Sequence, residues 1–244
     1  MIKVCLIGYG NWGKKVYQKT KDKIKYISIL GKNDLINKYL NQVDWIIIST
    51  PTNTHYQIVK KYLNLKKNVF CEKPLSLNYN QVKTLYKIAS KKDVNLIVSD
   101  FSDYKKKISF LKNNYFIRTK YSIADKSIKS KRIDLLYRFA YHDFGLIYNL
   151  VRNQKLISIK IHNYKKKLNF TINYEKNTFN FLYDSLNKKK KYSFNNKSLY
   201  QKNDLIKKMY SELMTNKKKF KLNKLRSLFV IKLIEKIKKK ILYL

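Results

Sequence analysis

The chain has 244 residues and a formal net charge of +40, from 55 Lys and Arg against 15 Asp and Glu, yet 44% of it is hydrophobic, with 21 Tyr and 12 Phe. That apolar content excludes a disordered basic tail and allows one large domain or two small ones with proper cores. Cys5 and Cys71, the two cysteines, lack metal-ligand spacing, which argues against a disulfide framework or a metal site and for a reducing compartment. No apolar run approaches the roughly 20 residues of a bilayer span, and the opening residues lack a signal peptide's regions. The expectation is a soluble, cytoplasmic protein. The charge has two readings. One is an anionic partner such as nucleic acid. The other is compositional drift: Arg occurs only at Arg118, Arg132, Arg138, Arg152 and Arg226, while Lys, Asn, Ile and Tyr are abundant together, as AT-rich codons produce. Base-reading proteins lean on Arg for bidentate contacts, so drift is favoured and no specific nucleic-acid partner is expected.

In chain order, a strand at Lys3–Ile7 runs into Gly8-Tyr9-Gly10-Asn11-Trp12-Gly13, followed by a helix about Trp12–Asp22. A second strand, Ile24–Leu30, ends at Gly31-Lys32-Asn33-Asp34, and a short helical stretch covers Leu35–Leu40. A strong strand at Asp44–Ser49 leads into a loop, Thr50-Pro51-Thr52-Asn53-Thr54-His55, and a helix, Tyr56–Leu63. Val69–Glu72 reads as a strand closed by Lys73-Pro74. A helix at Asn80–Lys91 and a strand at Asn95–Ser99 follow. Short apolar runs alternating with amphipathic stretches are the pattern of βαβ units. The fold class is therefore α/β, with a Rossmann-type doubly wound parallel sheet over 1–103. In such a sheet ligands sit at the carboxyl ends of the strands, so the loops at 8–13, 31–34, 50–55 and 71–74 converge on one crevice.

After about residue 103 the pattern changes. Residues 104–112 read as helical, 115–123 as a strand, and 132–152 as one amphipathic helix with apolar positions at i, i+3 and i+4. Strand-like runs at 156–163, 168–175, 178–184 and 191–195 have hairpin spacing. Helices at 203–216 and 222–243 finish the chain. This is a smaller α+β domain over 104–244 with an open, mostly antiparallel sheet. The final helix alternates apolar residues with Lys; docking on its own domain is favoured over a membrane surface.

The glycine triplet after a strand is a dinucleotide fingerprint. Gly8 permits the tight turn, Gly10 lets backbone approach a pyrophosphate, and Gly13 lets helix pack on strand. Lys73 follows a strand end at the ligand edge beside Glu72, and Pro74 biases it away from helix. Such a lysine suits hydrogen bonding to a substrate hydroxyl during hydride transfer, though an ordinary surface lysine fits the spacing as well. His142, mid-helix, is the natural acid/base partner because imidazole titrates near neutrality, and Asp143 is its adjacent carboxylate. Packing alone also accounts for a mid-helix histidine. His55 faces the cofactor if its loop does. No metal cluster or nucleophile elbow appears.

Gly8–Gly13, Ser49–His55 (STPTNTH) and Cys71–Ser76 (CEKPLS), in that order and spacing, resemble the Gfo/Idh/MocA family of NAD(P)-dependent oxidoreductases. The likeness covers about the first hundred residues; beyond them Tyr141–Gly145 is similar to the family's catalytic-histidine helix. It implies a cofactor, NAD or NADP, along Gly8, Tyr9, Gly10, Asn11, Trp12, Gly13, Lys32, Thr50, Pro51, Thr52, Asn53, His55, Glu72 and Lys73. It implies a sugar, nucleotide-sugar or cyclitol substrate oxidised or reduced at a carbon bearing oxygen. By position Lys73 becomes the substrate-hydroxyl lysine and His142 the general acid/base, with Arg138 and Asp143 beside the substrate. It also implies a homo-oligomer through the C-terminal sheet. Three departures stand out. Arg138 occupies a position where the family often carries an aspartate; it could grip an anionic substrate, or mark a member that binds dinucleotide without turnover. The second strand ends Leu30-Gly31-Lys32 with no ribose-binding acid, a lean toward NADP. The chain is also short for the family.

Overall fold

The computed structural model describes residues 1–31, 37–104, 108–119, 135–164, 167–187, 189–199 and 205–243. Its strands are β1 (Ile2–Ile7), β2 (Ile24–Leu30), β3 (Trp45–Ile48), β4 (Asn68–Cys71), β5 (Leu96–Val98), β6 (Asn113–Thr119), β7 (Leu156–Asn163), β8 (Leu168–Tyr174), β9 (Thr178–Asp184), β10 (Lys191–Phe194) and β11 (Lys197–Ser198). Its helices are α1 (Asn11–Thr20), α2 (Thr52–Asn64), α3 (Tyr79–Lys91), α4 (Tyr141–Val151), α5 (Leu205–Leu213) and α6 (Lys217–Leu242). By density of contacts the chain divides into Met1–Tyr104 with Asp204–Ile231, and Lys105–Asn203 with Lys232–Leu244, so the division falls inside α6.

In the first unit, Val4–Ile7, Trp45–Ile48, Val69–Cys71 and Leu96–Val98 are unbroken apolar runs, buried on both faces, as a parallel sheet covered by helices requires. The five strands are all parallel in the order β2-β1-β3-β4-β5. Order reverses beside β1, which puts the crevice at the carboxyl ends of β1 and β3. Ile206, Met209, Tyr210 and Met214 of α5 and its following turn join Val4, Leu6, Ile47, Phe70 and Ile97 in one core. The edge strand β5 is closed by a side chain. Asn223 of α6 accepts from Val98 N–H through Oδ1 and donates to Val98 C=O through Nδ2, both at 2.9 Å, satisfying groups that an edge leaves open. Arg226, one turn on, donates to the buried Asp100 at 3.0 Å.

The second unit is a six-stranded mixed sheet, β11-β10-β6-β9-β8-β7, antiparallel throughout except where β6 runs parallel to β9. Its inner face is aromatic: Phe181 stacks on Phe116 at 5.1 Å and on Phe170 at 4.9 Å, with Phe144 of α4 edge-on to Phe181 at 5.3 Å.

Several local expectations are corrected. Helix α2 begins at Thr52, not Tyr56: Pro51 sets the entry backbone, and Thr54 donates from both its amide and hydroxyl to Pro51 C=O, at 3.0 and 2.7 Å. Residues 108–112 form no helix, and only a 3₁₀ turn at Ser102–Tyr104 precedes the undescribed 105–107. The stretch expected as one helix over 132–152 starts, among described residues, with a π turn at Leu136–Ala140 before α4; 132–134 lie outside them. A short β11, unforeseen, pairs with β10. The apolar stripe of α6, including Val230, Ile234, Ile237 and Ile241, is buried against the chain itself. Among the described residues no helix is long and apolar enough to cross a membrane, and no group of His, Cys, Asp and Glu could hold a metal.

Candidate cofactor and active site

Four amide hydrogen bonds carry the first sheet's ladder past its strand ends. Gly8 N donates to Leu30 O (3.0 Å), Ser49 N to Ile7 O (2.8 Å), Glu72 N to Ile48 O (2.9 Å) and Ser99 N to Cys71 O (2.8 Å). Gly8, Ser49, Glu72 and Ser99 therefore form one row along the carboxyl edge. Three loops named by the sequence motifs leave from that row.

The glycine loop separates its roles sharply. Gly8 has φ +95°, and a Cβ there would lie 2.8 Å from the backbone of Ser49 and Thr50. A Cβ on Gly13 would lie 2.0 Å from Gly8 O. A Cβ on Gly10 would meet nothing within 4 Å. Gly10 is the N-cap of α1, and no side chain caps the helix. A helix start with uncapped N–H groups, positive dipole and open space in front of a glycine is what a pyrophosphate fills. The Ser49 hydroxyl, buried behind Gly13, has no hydrogen-bond partner among the described residues. These observations fit a dinucleotide. Tyr9 and Asn11 are exposed at the loop, while Trp12 is half-buried against the core.

The second loop is tied down. Thr54 Oγ1 and Thr50 Oγ1 are hydrogen-bonded at 2.7 Å, Pro51 and Asn53 are exposed, and Thr52 is half-buried. His55 does not face the crevice with a ring nitrogen. It is 1% exposed; Nδ1 lies 2.8 Å from Pro74 O and Nε2 lies 2.8 Å from Thr50 O. It joins the second loop to the third.

The third loop holds Glu72, Lys73 and Pro74. Glu72 is buried and its Oε1 accepts from Tyr210 Oη of α5 at 2.6 Å. Burial, reinforced by the Glu72 carboxylate, holds the Tyr210 hydroxyl well above its ordinary range, so it stays a donor. Lys73 is half-buried, and its peptide bond to Pro74 is cis. Lys32 lies outside the described residues.

In the second unit, Arg138 sits in the π turn with its guanidinium 5.8 Å from the Phe139 ring centroid, and His142 lies half-buried in the first turn of α4. Asp143 is fully buried. Its Oδ1 accepts from Arg118 Nε (3.1 Å), Arg118 Nη2 (2.9 Å) and Tyr192 Oη (2.8 Å), and its Oδ2 from Tyr183 Oη (3.0 Å). The Arg118 guanidinium also covers the Tyr192 ring at 3.6 Å. Burial is the largest single influence and would lower Arg118, but Asp143, Tyr192 and Tyr183 together outweigh it and the net shift is upward. Burial first, then Asp143, pushes Tyr183 well up; burial does the same for Tyr192, where Arg118 opposes it. Asp143 thus fixes α4 to β6, β9 and β10. Sequence reasoning missed Arg118, Tyr183, Tyr192 and Tyr210, whose partners are 25 to 138 residues away.

Residues 31–100 match the Gfo/Idh/MocA family profile, described as an oxidoreductase family with an NAD-binding Rossmann fold. The matched segment takes in β3, α2, β4, α3 and β5 of the first unit. The inositol 2-dehydrogenase of Rhizobium meliloti is 34% identical over 56 residues, 23% of this chain and 17% of that protein. The matches to the first curated relatives span 15 to 17% of those proteins' length. Among solved structures, a UDP-N-acetylglucosamine 3-dehydrogenase from Acidithiobacillus ferrooxidans superposes with TM-score 0.79 at 11% identity, covering 96% of each chain. The WlbA dehydrogenase from Thermus thermophilus, in complex with NAD and UDP-GlcNAcA, superposes with TM-score 0.75 at 13% identity, covering 96% of this chain and 94% of that one. At these identities the likeness is one of fold, and it extends through both units.

Proposed function

We propose that the chain is an NAD(P)-dependent oxidoreductase acting on a hydroxyl or carbonyl carbon of a sugar, nucleotide sugar or related polyol. The observation that carries this reading is the row Gly8–Ser49–Glu72, with open space at Gly10 on one side and Lys73 leaving β4 on the other. The names of the inositol and nucleotide-sugar dehydrogenases that it resembles support the substrate class. Gly8–Gly13 and the α1 N-terminus would hold the pyrophosphate, and the Thr50–Asn53 and Glu72–Lys73 loops the nicotinamide half. A bound nicotinamide supplies the hydride donor or acceptor. Lys73 donates a hydrogen bond to the substrate hydroxyl, and His142 moves its proton. Arg138 selects an anionic group on the substrate. The absence of an acid at Leu30-Gly31 favours NADP, and the outer face of the second sheet is the surface for self-association.

A second reading is a dinucleotide binder without turnover, favoured by Arg138 standing where the family resemblance implies an acid. A panel of sugars and nucleotide sugars with NAD+ and NADP+ decides. Turnover lost in both Lys73→Ala and His142→Ala, with cofactor binding kept, is the expected result. Turnover that survives Lys73→Ala contradicts the assignment; cofactor binding with no turnover on any member leaves the second reading.

A further inference from the structure

Lys73 is held between two buried contacts, one on each flank. On the N-terminal flank, Tyr210 lies along β4: its ring stacks on Phe70 with centroids 4.2 Å apart and planes 26° from parallel. Phe70 and Glu72 are two residues apart and so point to the same face of the sheet. The ring on Phe70 thereby delivers the Tyr210 hydroxyl to Glu72 Oε1 at 2.6 Å. Met209 and Tyr210 are fully buried, so α5 cannot shift without breaking the core. On the C-terminal flank, the Pro74 carbonyl faces His55 Nδ1 at 2.8 Å, and the opposite ring nitrogen is equally occupied by Thr50 O. With a carbonyl oxygen 2.8 Å from each nitrogen and 1% exposure, the ring has little room to rotate. Neither contact involves the lysine itself. Both restrict the backbone that carries it.

We propose that Tyr210 and His55 are positioning residues that fix Lys73 from either side, Tyr210 through Glu72 and His55 through Pro74. The proposal deepens the functional reading above, since positioning matters only if Lys73 acts on substrate. Reacting groups must be held to within a fraction of an ångström, and a fixed backbone limits how far a flexible four-carbon stem carries its ammonium. His55 adds a second consequence. Because it joins Thr50 O to Pro74 O, the loop assigned to the nicotinamide half and the loop bearing Lys73 move as one body.

The test is residue-resolved acylation of lysines in the full chain, read by peptide mass spectrometry from about pH 7 to 10, where amines gain their reactive neutral form. Wild type is compared with Tyr210→Phe, which deletes only the hydroxyl, and His55→Gln. Lys67, just before β4, and Lys60, in α2, are internal references. The expected result is a rise of about threefold or more in Lys73 labelling in each variant, with a displaced pH profile for Lys73 alone. Labelling of Lys73 that stays at the wild-type rate overturns the proposal. So does a uniform rise at Lys60, Lys67 and Lys73, which marks loosening of the whole unit. If neither variant folds, the contacts serve stability and the proposal is likewise overturned. These readouts need no substrate, so a failure of the oxidoreductase reading appears separately, as missing cofactor binding or as turnover that survives Lys73→Ala.

Discussion

Replacing each glycine of the first loop by alanine separates folding from cofactor binding. Gly10 has φ −74° and ψ −169°, an extended conformation open to any residue, and its new methyl would meet nothing within 4 Å. Gly10→Ala should leave the free chain's stability within about 1 kcal/mol of wild type, since the freedom lost by the unfolded chain is offset by alanine's poorer fit at an N-cap. The same methyl stands where a pyrophosphate must approach the backbone, so NADH affinity should fall at least about tenfold, or ~1.4 kcal/mol. Gly13→Ala reverses the pattern. Its methyl would sit 2.0 Å from Gly8 O, against a comfortable contact of about 3.5 Å, so α1 or the Gly8 turn must retreat. Overpacking of this kind costs about 1–3 kcal/mol, and each kcal/mol lowers Tm by about 2–4 °C in a chain of this size. Gly8→Ala combines a strained φ with 2.8 Å contacts and should lose both stability and binding. Thermal unfolding by circular dichroism and NADH titration by fluorescence read the two quantities independently. Gly10→Ala that binds NADH like wild type would refute the placement of the pyrophosphate.

Asp143→Ala removes the acceptor of four hydrogen bonds and strands the buried Arg118; a loss of about 3–5 kcal/mol in urea unfolding is expected, with Asp143→Asn intermediate. Asn223→Ala orphans the N–H and C=O of Val98 on the edge strand, at about 1–3 kcal/mol for each group left unsatisfied, and hydrogen exchange at Val98 should accelerate. Burial holds Tyr183, Tyr192 and Tyr210 well above their ordinary range, and raises Tyr26 and Tyr62 to about 12. Unfolded tyrosines ionise near ~10, so their contribution to stability is complete below that pH and is lost as pH rises toward the folded values. Phenolate absorbance should therefore show an early wave from exposed tyrosines and a late, cooperative one coincident with unfolding.

The first sheet was legible because β1, β3, β4 and β5 are buried on both faces and read as largely apolar runs, and because glycines and prolines punctuate strand ends. The same logic misplaced the start of α2: Thr52-Asn53-Thr54 has loop composition, but Thr54 folds back on Pro51 and closes a helical turn. Residues 104–112 carry helical periodicity that the described part, 108–112, does not obey. The parallel β6–β9 pairing could not be seen, since hairpin spacing suggests antiparallel neighbours only. For the site, the motif residues fell on one edge, yet their supports came from afar. Nothing near Tyr210 marks it out from a chain of 21 tyrosines, and its partner Glu72 lies 138 residues earlier. His55 illustrates the opposite failure. Its place in the loop after β3 was readable, but its geometry sets a carbonyl oxygen 2.8 Å from each nitrogen and ties that loop to Pro74. Asp143 likewise reads as a partner of His142 in sequence, whereas its oxygens are directed at Arg118, Tyr183 and Tyr192.

The most direct test of the central claim is calorimetric titration of the full chain with NADH and, separately, NADPH. Saturable binding of one equivalent per chain, abolished or strongly weakened in Gly10→Ala while that variant melts like wild type, is the predicted result. Absence of heat for either dinucleotide at millimolar concentration, with the chain folded, would contradict it.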